Sequence, residues 1–448
     1  MHHESSELLL GERLRKPVKD CAAATTSAAT EASSSTVHRS AALDFPRFLA
    51  AIHVATYHAW TSTSVPRSEL PNFLLWGYTW VPFFFLLSGF VLFFSKAQAE
   101  GSSEVEASKF GFAGRGRAWL WLWKRWISMY PLFVLSLVLG LWGVPFFAHP
   151  EGMWMALVNM LLMLQAWAWE LRCTEHVALC AYSVWNEPAW FVSALFFCWL
   201  TFPLAYRQLH RMGGCACAAL ASGLYAVSFW ELVTWRNLSF EQLQHAEQIG
   251  AIASRNPITN LNKFLLGAVL ARLVLLRCHV SAPDQGRVLQ MQRLPCCIAY
   301  AATPASTALL VCFVRLNPDT TEGREAIIVG LFGLLICSLA AGRDPLAQVL
   351  GLPCLAWWGK FSYGIYILHN AVLAFTSQLT MNEGYTLNAN ARNAAFFPVL
   401  FAFVLLGHYG VELPTAAFYK SPPAWLCGGC CARTPRAEKR AVVGEVQR

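Results

Sequence analysis

Apolar residues fall into runs of about twenty along this chain, and polar residues are concentrated between the runs. An α-helix needs a run of roughly this length to cross the hydrocarbon core of a bilayer. The pattern predicts spans at 43–60, 74–95, 119–142, 188–206, 216–235, 258–276, 295–314, 326–342, 361–380 and 394–418. The predicted fold class is therefore an all-α polytopic membrane protein, a bundle of about ten transmembrane helices.

One further apolar segment, 154–169, is shorter than these spans, and counting it as a span changes the parity of everything after it. With ten spans and both termini in the cytoplasm, most of the 34 Lys and Arg residues lie on the cytoplasmic side. An eleventh span would move the basic C-terminal tail outside, against that bias. We therefore interpret 154–169 as one re-entrant or interfacial helix, whose exposed backbone protein or a water-filled cavity can cover.

The composition supports insertion into a lipid bilayer and excludes an ordinary soluble protein. Charged residues make up 13% of the chain and apolar residues 56%, whereas ~25% of a soluble domain is charged. The net charge of +8 is divided among separate loops and tails. It therefore indicates orientation in the membrane, and no nucleic-acid partner is expected.

Three regions follow from these patterns. Residues 1–40 are rich in Ser, Ala and Thr, and we interpret them as a disordered cytoplasmic tail, although an organellar transit peptide has a similar composition. Residues 41–419 form the predicted transmembrane domain, and 420–448 a basic, Cys-containing cytoplasmic tail. Both tails are outside the spans.

Most of the 15 cysteines lie in or beside the spans, where Cys behaves as a small apolar residue. Cys173 and Cys180 flank a short loop predicted outside the cytosol and are the best candidates for a disulfide. The cysteines just after the last span could bind zinc or carry palmitate; they are Cys427, Cys430 and Cys431. The histidines are spread over distant spans without ligand spacing, so no metal site is predicted.

The first span carries ionisable residues that are unusual inside a membrane helix. Arg47 and His58 are eleven residues apart, so they share one face about 16 Å apart along the helix axis. The small side chains of Ala51 and Val54 between them predict a groove for a ligand. Alternatively, such groups snorkel to the interface or satisfy a neighbouring helix. His53 points ~140° away from His58 and is interpreted as a helix-packing group.

Two other stretches carry candidate chemistry. Lys124 and Arg125 lie among tryptophans at the predicted cytoplasmic face, as membrane anchors or as a cationic mouth for the phosphates of an anionic cofactor. Ser362, Tyr366 and His369 recur at helical spacing and form a polar stripe on the ninth span.

These motifs, in this order, resemble the acyltransferase 3 family of membrane O-acyltransferases over about 43–419. Each motif is weak alone, and the ordered set is specific. The matching elements are Arg47 with His58, the FFFLLSGF segment 83–90, Lys124-Arg125 with Tyr130-Pro131, the segment 359–369 and Glu412 with Pro414. Two positions depart from the family pattern: Ser128 stands where an Arg is usual, and Leu195 where a Glu is usual.

The resemblance implies an enzyme that moves an acyl group, most simply acetyl, from acyl-CoA to a hydroxyl of a carbohydrate, lipid or small-molecule acceptor. It implies His58 as the general base, with Arg47 orienting the donor or stabilising negative charge on the thioester oxygen. Arg47, Lys124 and Arg125 would bind the CoA phosphates. Acyl-CoA is then a donor substrate, and no bound cofactor is expected.

Ser362, Tyr366 and His369 are the candidates for acceptor binding. Two alternatives stay open on the sequence alone: a multi-span transporter whose polar residues line a permeation path, and an inactive acyltransferase-like membrane protein. The departures at Ser128 and Leu195 keep the second alternative open.

Overall fold

The computed structural model describes residues 41–63, 65–100, 115–141, 150–167, 186–236, 255–280, 289–291, 296–317, 325–381 and 389–419. Both predicted tails lie outside the described residues, as do the cysteine pair at 173 and 180 and the cysteine cluster at 427–431. The domain boundaries at 40 and 420 and both cysteine interpretations therefore stay predictions.

Helices dominate the described part of the chain. They are α1 (Asp44–Thr61), α2 (Asn72–Leu75), α3 (Trp80–Glu100), α4 (Arg115–Gly140), α5 (Pro150–Leu161), α6 (Trp190–Arg211), α7 (Gly214–Arg236), α8 (Pro257–Arg277), α9 (Cys296–Leu316), α10 (Glu325–Ala341), α11 (Pro345–Leu350), α12 (Pro353–Ala356), α13 (Ser362–Met381), α14 (Ala389–Gly407) and α15 (Leu413–Tyr419). Single 3-10 turns stand at Ala41–Leu43, Arg67–Glu69, Trp76–Thr79, Glu187–Ala189 and Trp357–Phe361, and a π-helical turn at His408–Glu412 joins α14 to α15. A short antiparallel pair, β1 (Cys278–Val280) with β2 (Leu289–Met291), follows α8.

Each apolar segment predicted from the sequence coincides with a helix, and the observed ends differ by a few residues. Five described stretches are long and apolar enough to cross a membrane: Asn72–Gln98, Ala118–Gly140, Glu187–Arg211, Pro257–Arg277 and Arg392–Ala416. Three shorter apolar helices accompany them: Gly214–Phe229, Ala301–Leu316 and Ala326–Ala341. The helical, multi-pass character is therefore supported, and the number of ten spans stays a prediction.

Helix α5 is shorter than the segment predicted there. It has 12 residues and ends at Leu161, because the chain then turns through Met163, whose φ of 56° lies in the left-handed region. Side chains at the start of α6 hold this turn: Ser193 donates a hydrogen bond to the Met163 carbonyl. The Gln165 amide in turn donates to the Ala189 carbonyl over 2.8 Å. Twelve residues are too few to span a bilayer.

Helices α3 and α8 cross in direct backbone contact. A Cβ added to Gly89 of α3 would collide with the carbonyl of Phe264 on α8. A Cβ added to Gly267 of α8 would likewise collide with the carbonyl of Leu86 on α3. Glycine is required at both positions because no other residue permits this approach.

Helix α13 packs along α1, and the two run parallel. The chain just before α13 bonds to Arg47 in the first turn of α1, through Gly359. Further along α13, His369 meets His58 in the last turn of α1. The two ends of α1 are therefore fastened to the turn before α13 and to the first half of α13.

The groove expected along the first helix is absent from the described structure. Ala51 and Ala55 are fully buried and Val54 is 1% exposed. These small side chains belong to the main hydrophobic core. The prediction of an open groove was wrong because it treated α1 in isolation, and small side chains serve equally well to let a neighbouring helix approach.

Candidate active site

Two histidines from distant parts of the chain meet at one end of α1. The ring centroids of His58 and His369 are 5.1 Å apart, and the ring planes are inclined by 33°. His369 is fully buried, whereas His58 is partly exposed. The pair therefore joins a buried imidazole to one that a ligand can reach.

The hydrogen bonding of His369 defines where its lone pair lies. Its Nδ1 is 2.7 Å from the carbonyl oxygen of Tyr366. A carbonyl can only accept, so Nδ1 donates, and in the neutral ring the lone pair is on Nε2. Among the described residues that buried Nε2 has no hydrogen-bond partner. Unsatisfied buried polar atoms are rare in native proteins and call for an explanation, such as a ligand.

The turn before α6 is hydrogen-bonded onto the same part of α13. Asn186 donates from Nδ2 to the carbonyl of Ile367 over 2.8 Å and to the Ser136 hydroxyl over 3.0 Å. The Tyr366 hydroxyl donates to the Pro188 carbonyl over 3.3 Å. These bonds place the intervening residue, Glu187, beside the histidine pair.

An ion pair borders the two histidines. Arg255, just before α8, contacts Glu187 with 2.6 Å between Nη2 and Oε1. Glu187 precedes Pro188, whose carbonyl accepts a hydrogen bond from Tyr366, and the Tyr366 ring is 6.0 Å from that of His369 between centroids. Sequence reasoning missed both charged residues. Glu187 stands next to Pro188 at a helix start, where an acidic residue is ordinary, and no sequence spacing links it to Arg255.

Arg47 lies at the opposite end of α1 and is held by the backbone that precedes α13. Its Nη2 donates to the Gly359 carbonyl over 2.7 Å, and it pairs with Asp44 one turn earlier at 3.4 Å. The Ser362 hydroxyl donates to the same Gly359 carbonyl over 2.8 Å. Arg47 and Ser362 thus form one cluster, about three helical turns from His58.

The basic residues of α4 are arranged differently from each other. The Lys124 side chain is exposed. The Arg125 guanidinium lies over two indole rings, 5.6 Å from the centroid of Trp121 and 5.8 Å from that of Trp199. Cation–π stacking of this kind fits a membrane anchor.

The predicted site residues therefore form two clusters and one separate basic segment. His58, His369 and Tyr366 are together at one end of α1, and Arg47 and Ser362 are together at the other. Within the described residues, no group of three or more His, Cys, Asp or Glu side chains could hold a metal ion.

His53, on the other side of α1, is a packing group as the sequence predicted. Its Nδ1 accepts a hydrogen bond from the Trp80 indole over 2.7 Å, so its Nε2 donates to the Phe73 carbonyl over 2.8 Å. The ring also stacks on that of Phe73 with 4.6 Å between centroids. Both nitrogens are occupied.

Comparison with known proteins identifies the family of this chain. A family model described as an acyltransferase domain matches residues 40–411. The acyltransferase MdmB of Streptomyces mycarofaciens is 27% identical over 354 residues, which cover 75% of this chain and 79% of the relative. No solved structure matches the chain significantly. The matched region includes both ends of α1 and all of α13, and the chain belongs to the acyltransferase 3 family of membrane O-acyltransferases.

Proposed function

We propose that this enzyme transfers an acyl group, most simply acetyl, from acyl-CoA to a hydroxyl of a carbohydrate, lipid or small-molecule acceptor, with His58 as general base. The observation that carries the proposal is the meeting of His58 with His369. Within the described structure, neither the His58 ring nor Nε2 of His369 has a hydrogen-bond partner. An acceptor hydroxyl has the polarity to supply the missing hydrogen bond.

The proposed reaction is a single displacement. The His58 imidazole takes the proton of the acceptor hydroxyl while the hydroxyl oxygen attacks the thioester carbon. The carbonyl π electrons move to oxygen and give a tetrahedral oxyanion. When that intermediate collapses, the C–S bond breaks, and the CoA thiolate leaves with the proton that His58 had taken. Imidazole is suited to this role because it exchanges protons near neutral pH.

His369 is the acceptor-binding residue that this geometry favours. Its Nε2 lone pair can accept a hydrogen bond from the acceptor or hold the His58 ring in one orientation. The backbone carbonyl of Tyr366 holds the His369 ring in place by accepting a hydrogen bond from Nδ1 of His369. Ser362 lies with Arg47 at the other end of α1. It would therefore contact only an acceptor large enough to extend from His58 to that end.

The donor is proposed to bind at the Arg47 end. CoA carries its phosphates at one end of a flexible pantetheine arm and its thioester at the other. Arg47, Lys124 and Arg125 are the cations proposed to bind those phosphates. The distance of about three helical turns between Arg47 and His58 matches a donor whose charged and reactive ends are far apart.

We propose ten spans with cytoplasmic termini, and two contacts between helix ends are compatible with that alternation. Arg392 at the start of α14 bonds to the Ala59 carbonyl at the end of α1 over 2.6 Å. Arg272 near the end of α8 bonds to the His210 carbonyl at the end of α6 over 2.8 Å. In the proposed alternation the first pair lies outside and the second in the cytoplasm.

The experiment that tests the function uses purified protein in detergent with radiolabelled acetyl-CoA. We expect loss of the thioester, with label transferred to one of several hydroxyl acceptors or released to water as acetate. His58→Ala is the matched inactive control. If no acyl-CoA of any chain length is consumed, the transporter and inactive alternatives replace this proposal.

A further inference from the structure

The proposed mechanism is helped by a positive charge close to His58, and Arg47 is not placed to supply it. The oxyanion forms on the oxygen of the carbonyl group that the acceptor attacks, so it lies within a few ångströms of the base. Arg47 is about three helical turns away along α1. It is also tied to the Gly359 carbonyl over 2.7 Å. Donor orientation is compatible with that position, whereas direct contact with the oxyanion is not.

A cation from the chain just before α8 is tied to the His369 side of the site. Arg255 pairs with Glu187. The next residue, Pro188, accepts a hydrogen bond from Tyr366, whose ring centroid is 6.0 Å from that of His369. The Arg255 side chain is partly exposed, with 24% accessible.

The position of Arg255 is fixed by Glu187. The two side chains approach to 2.6 Å. Glu187 lies in a turn that two hydrogen bonds join to α13, one from Asn186 to the Ile367 carbonyl and one from the Tyr366 hydroxyl to the Pro188 carbonyl. A guanidinium carries five N–H donors, so pairing with one carboxylate oxygen is compatible with donation to a second oxygen atom.

We propose that Arg255 is a catalytic residue that donates hydrogen bonds to the thioester oxygen as it becomes the tetrahedral oxyanion, and that Glu187 is the residue that positions it. This inference rests on the proposed function. In the first step the acceptor proton goes to His58 and the carbonyl electron pair goes to the oxygen facing Arg255. In the second step that pair re-forms the carbonyl, the C–S bond breaks, and the thiolate leaves with the proton from His58.

An oxyanion stabiliser has a kinetic signature that distinguishes it from a structural ion pair. Arg255→Gln should lower kcat by ~10²–10³-fold, the usual effect of removing one oxyanion donor. The loss should be the same with water or with a hydroxyl acceptor as nucleophile, because both reactions pass through the same oxyanion. The KM for acetyl-CoA should be unchanged, because the phosphates bind elsewhere.

The matched control exchanges the two charges. The double variant Glu187→Arg with Arg255→Glu keeps an ion pair between the 186–189 turn and α8. If the pair is only structural, the double variant regains the activity that Arg255→Gln loses. We expect it to stay inactive while its thermal stability returns to that of the wild type. Arg255→Lys keeps the charge and provides a second test, with partial activity expected, should the Gln variant fail to fold.

Three results would overturn the proposal. They are near-normal kcat in Arg255→Gln, recovery of activity in the charge-exchanged variant, and a rise in the KM for acetyl-CoA with kcat unchanged. If His58→Ala is inactive in the same assay, the proposed function stands even when the role of Arg255 fails. If the wild type consumes no acyl-CoA, both proposals fail together.

Discussion

Helix α1 carries two histidines five residues apart, and their surroundings are opposite. His53 uses both ring nitrogens in hydrogen bonds, to the Trp80 indole and the Phe73 carbonyl. The His58 ring has no hydrogen-bond partner in the described part of the chain and faces a second imidazole, 5.1 Å away between centroids. The two residues share a helix and a residue type, so the difference between them comes entirely from what packs on each side of α1.

The comparison shows how a structural histidine differs from a functional one in a membrane helix. A polar group in a bilayer needs a hydrogen-bond partner from a neighbouring residue, and both ring nitrogens of His53 have one. Among the residues that the structure describes, the His58 ring and Nε2 of His369 have no such neighbour. That is the condition an enzyme needs at its reacting centre, where a ligand completes the hydrogen bonding.

Removing the His58 ring should have the largest effect. His58→Ala should lower kcat/KM for acyl transfer by roughly 10²–10⁴-fold, the usual contribution of a general base. Expression and thermal stability should be near those of the wild type, since the ring makes no hydrogen bond that folding depends on. The measurement is thioester consumption beside a thermal unfolding curve; a variant that is inactive only because it is unfolded would contradict the assignment.

The contributions of the two ring nitrogens of His369 can be measured separately. His369→Asn keeps an N–H near the position of Nδ1 and loses Nε2, whereas His369→Gln places an amide near Nε2. If Nε2 is the functional atom, Asn should cost roughly 10–100-fold in kcat/KM, the value of one hydrogen bond at a reacting group, and Gln should cost less. Steady-state kinetics of the two variants decide this. Equal losses would assign His369 to helix packing.

Replacing the packing histidine should affect stability and leave the chemistry intact. His53→Phe keeps the stacking on Phe73 and leaves the Trp80 N–H without its acceptor. We expect a loss of about 1–3 kcal/mol in the free energy of unfolding. The kcat of the folded fraction should be within about twofold of the wild type, because His53 makes no contact with the reacting atoms and its loss should change the reaction barrier only slightly. A stable but inactive His53→Phe would remove the contrast between the two histidines.

The smallest expected effect lies at the donor end. Lys124→Gln should raise the KM for acetyl-CoA by roughly 2–5-fold without changing kcat, as an exposed charge contact of up to ~1 kcal/mol implies. High salt should remove the difference between this variant and the wild type, because salt screens exposed charges. The measurement is the KM at two ionic strengths. A KM that does not depend on Lys124 would leave this residue as a membrane anchor only.

The sequence predicted the helices and which residues share a face of α1. It could not predict which helices pack against each other. Periodicity and apolar run length are local properties, so the helix positions and the packing role of His53 were both accessible. The meeting of His58 with His369 depends on α1 packing against α13, more than three hundred residues later.

The misses have the same cause. A groove along Ala51 was expected because the side chains are small, and Ala51 is instead fully buried in the hydrophobic core. Glu187 and Arg255 gave no signal of their own, since each is an ordinary charged residue near a helix start. Only the three-dimensional arrangement places them beside the histidines.

Chemical rescue tests most directly whether His58 is the base. Imidazole added to His58→Ala can occupy the space of the missing ring and accept the acceptor proton, so the account predicts a saturable return of thioester turnover as imidazole is added. The same addition should leave the activity of His53→Phe unchanged. Near-normal turnover of His58→Ala before any imidazole is added would contradict the account.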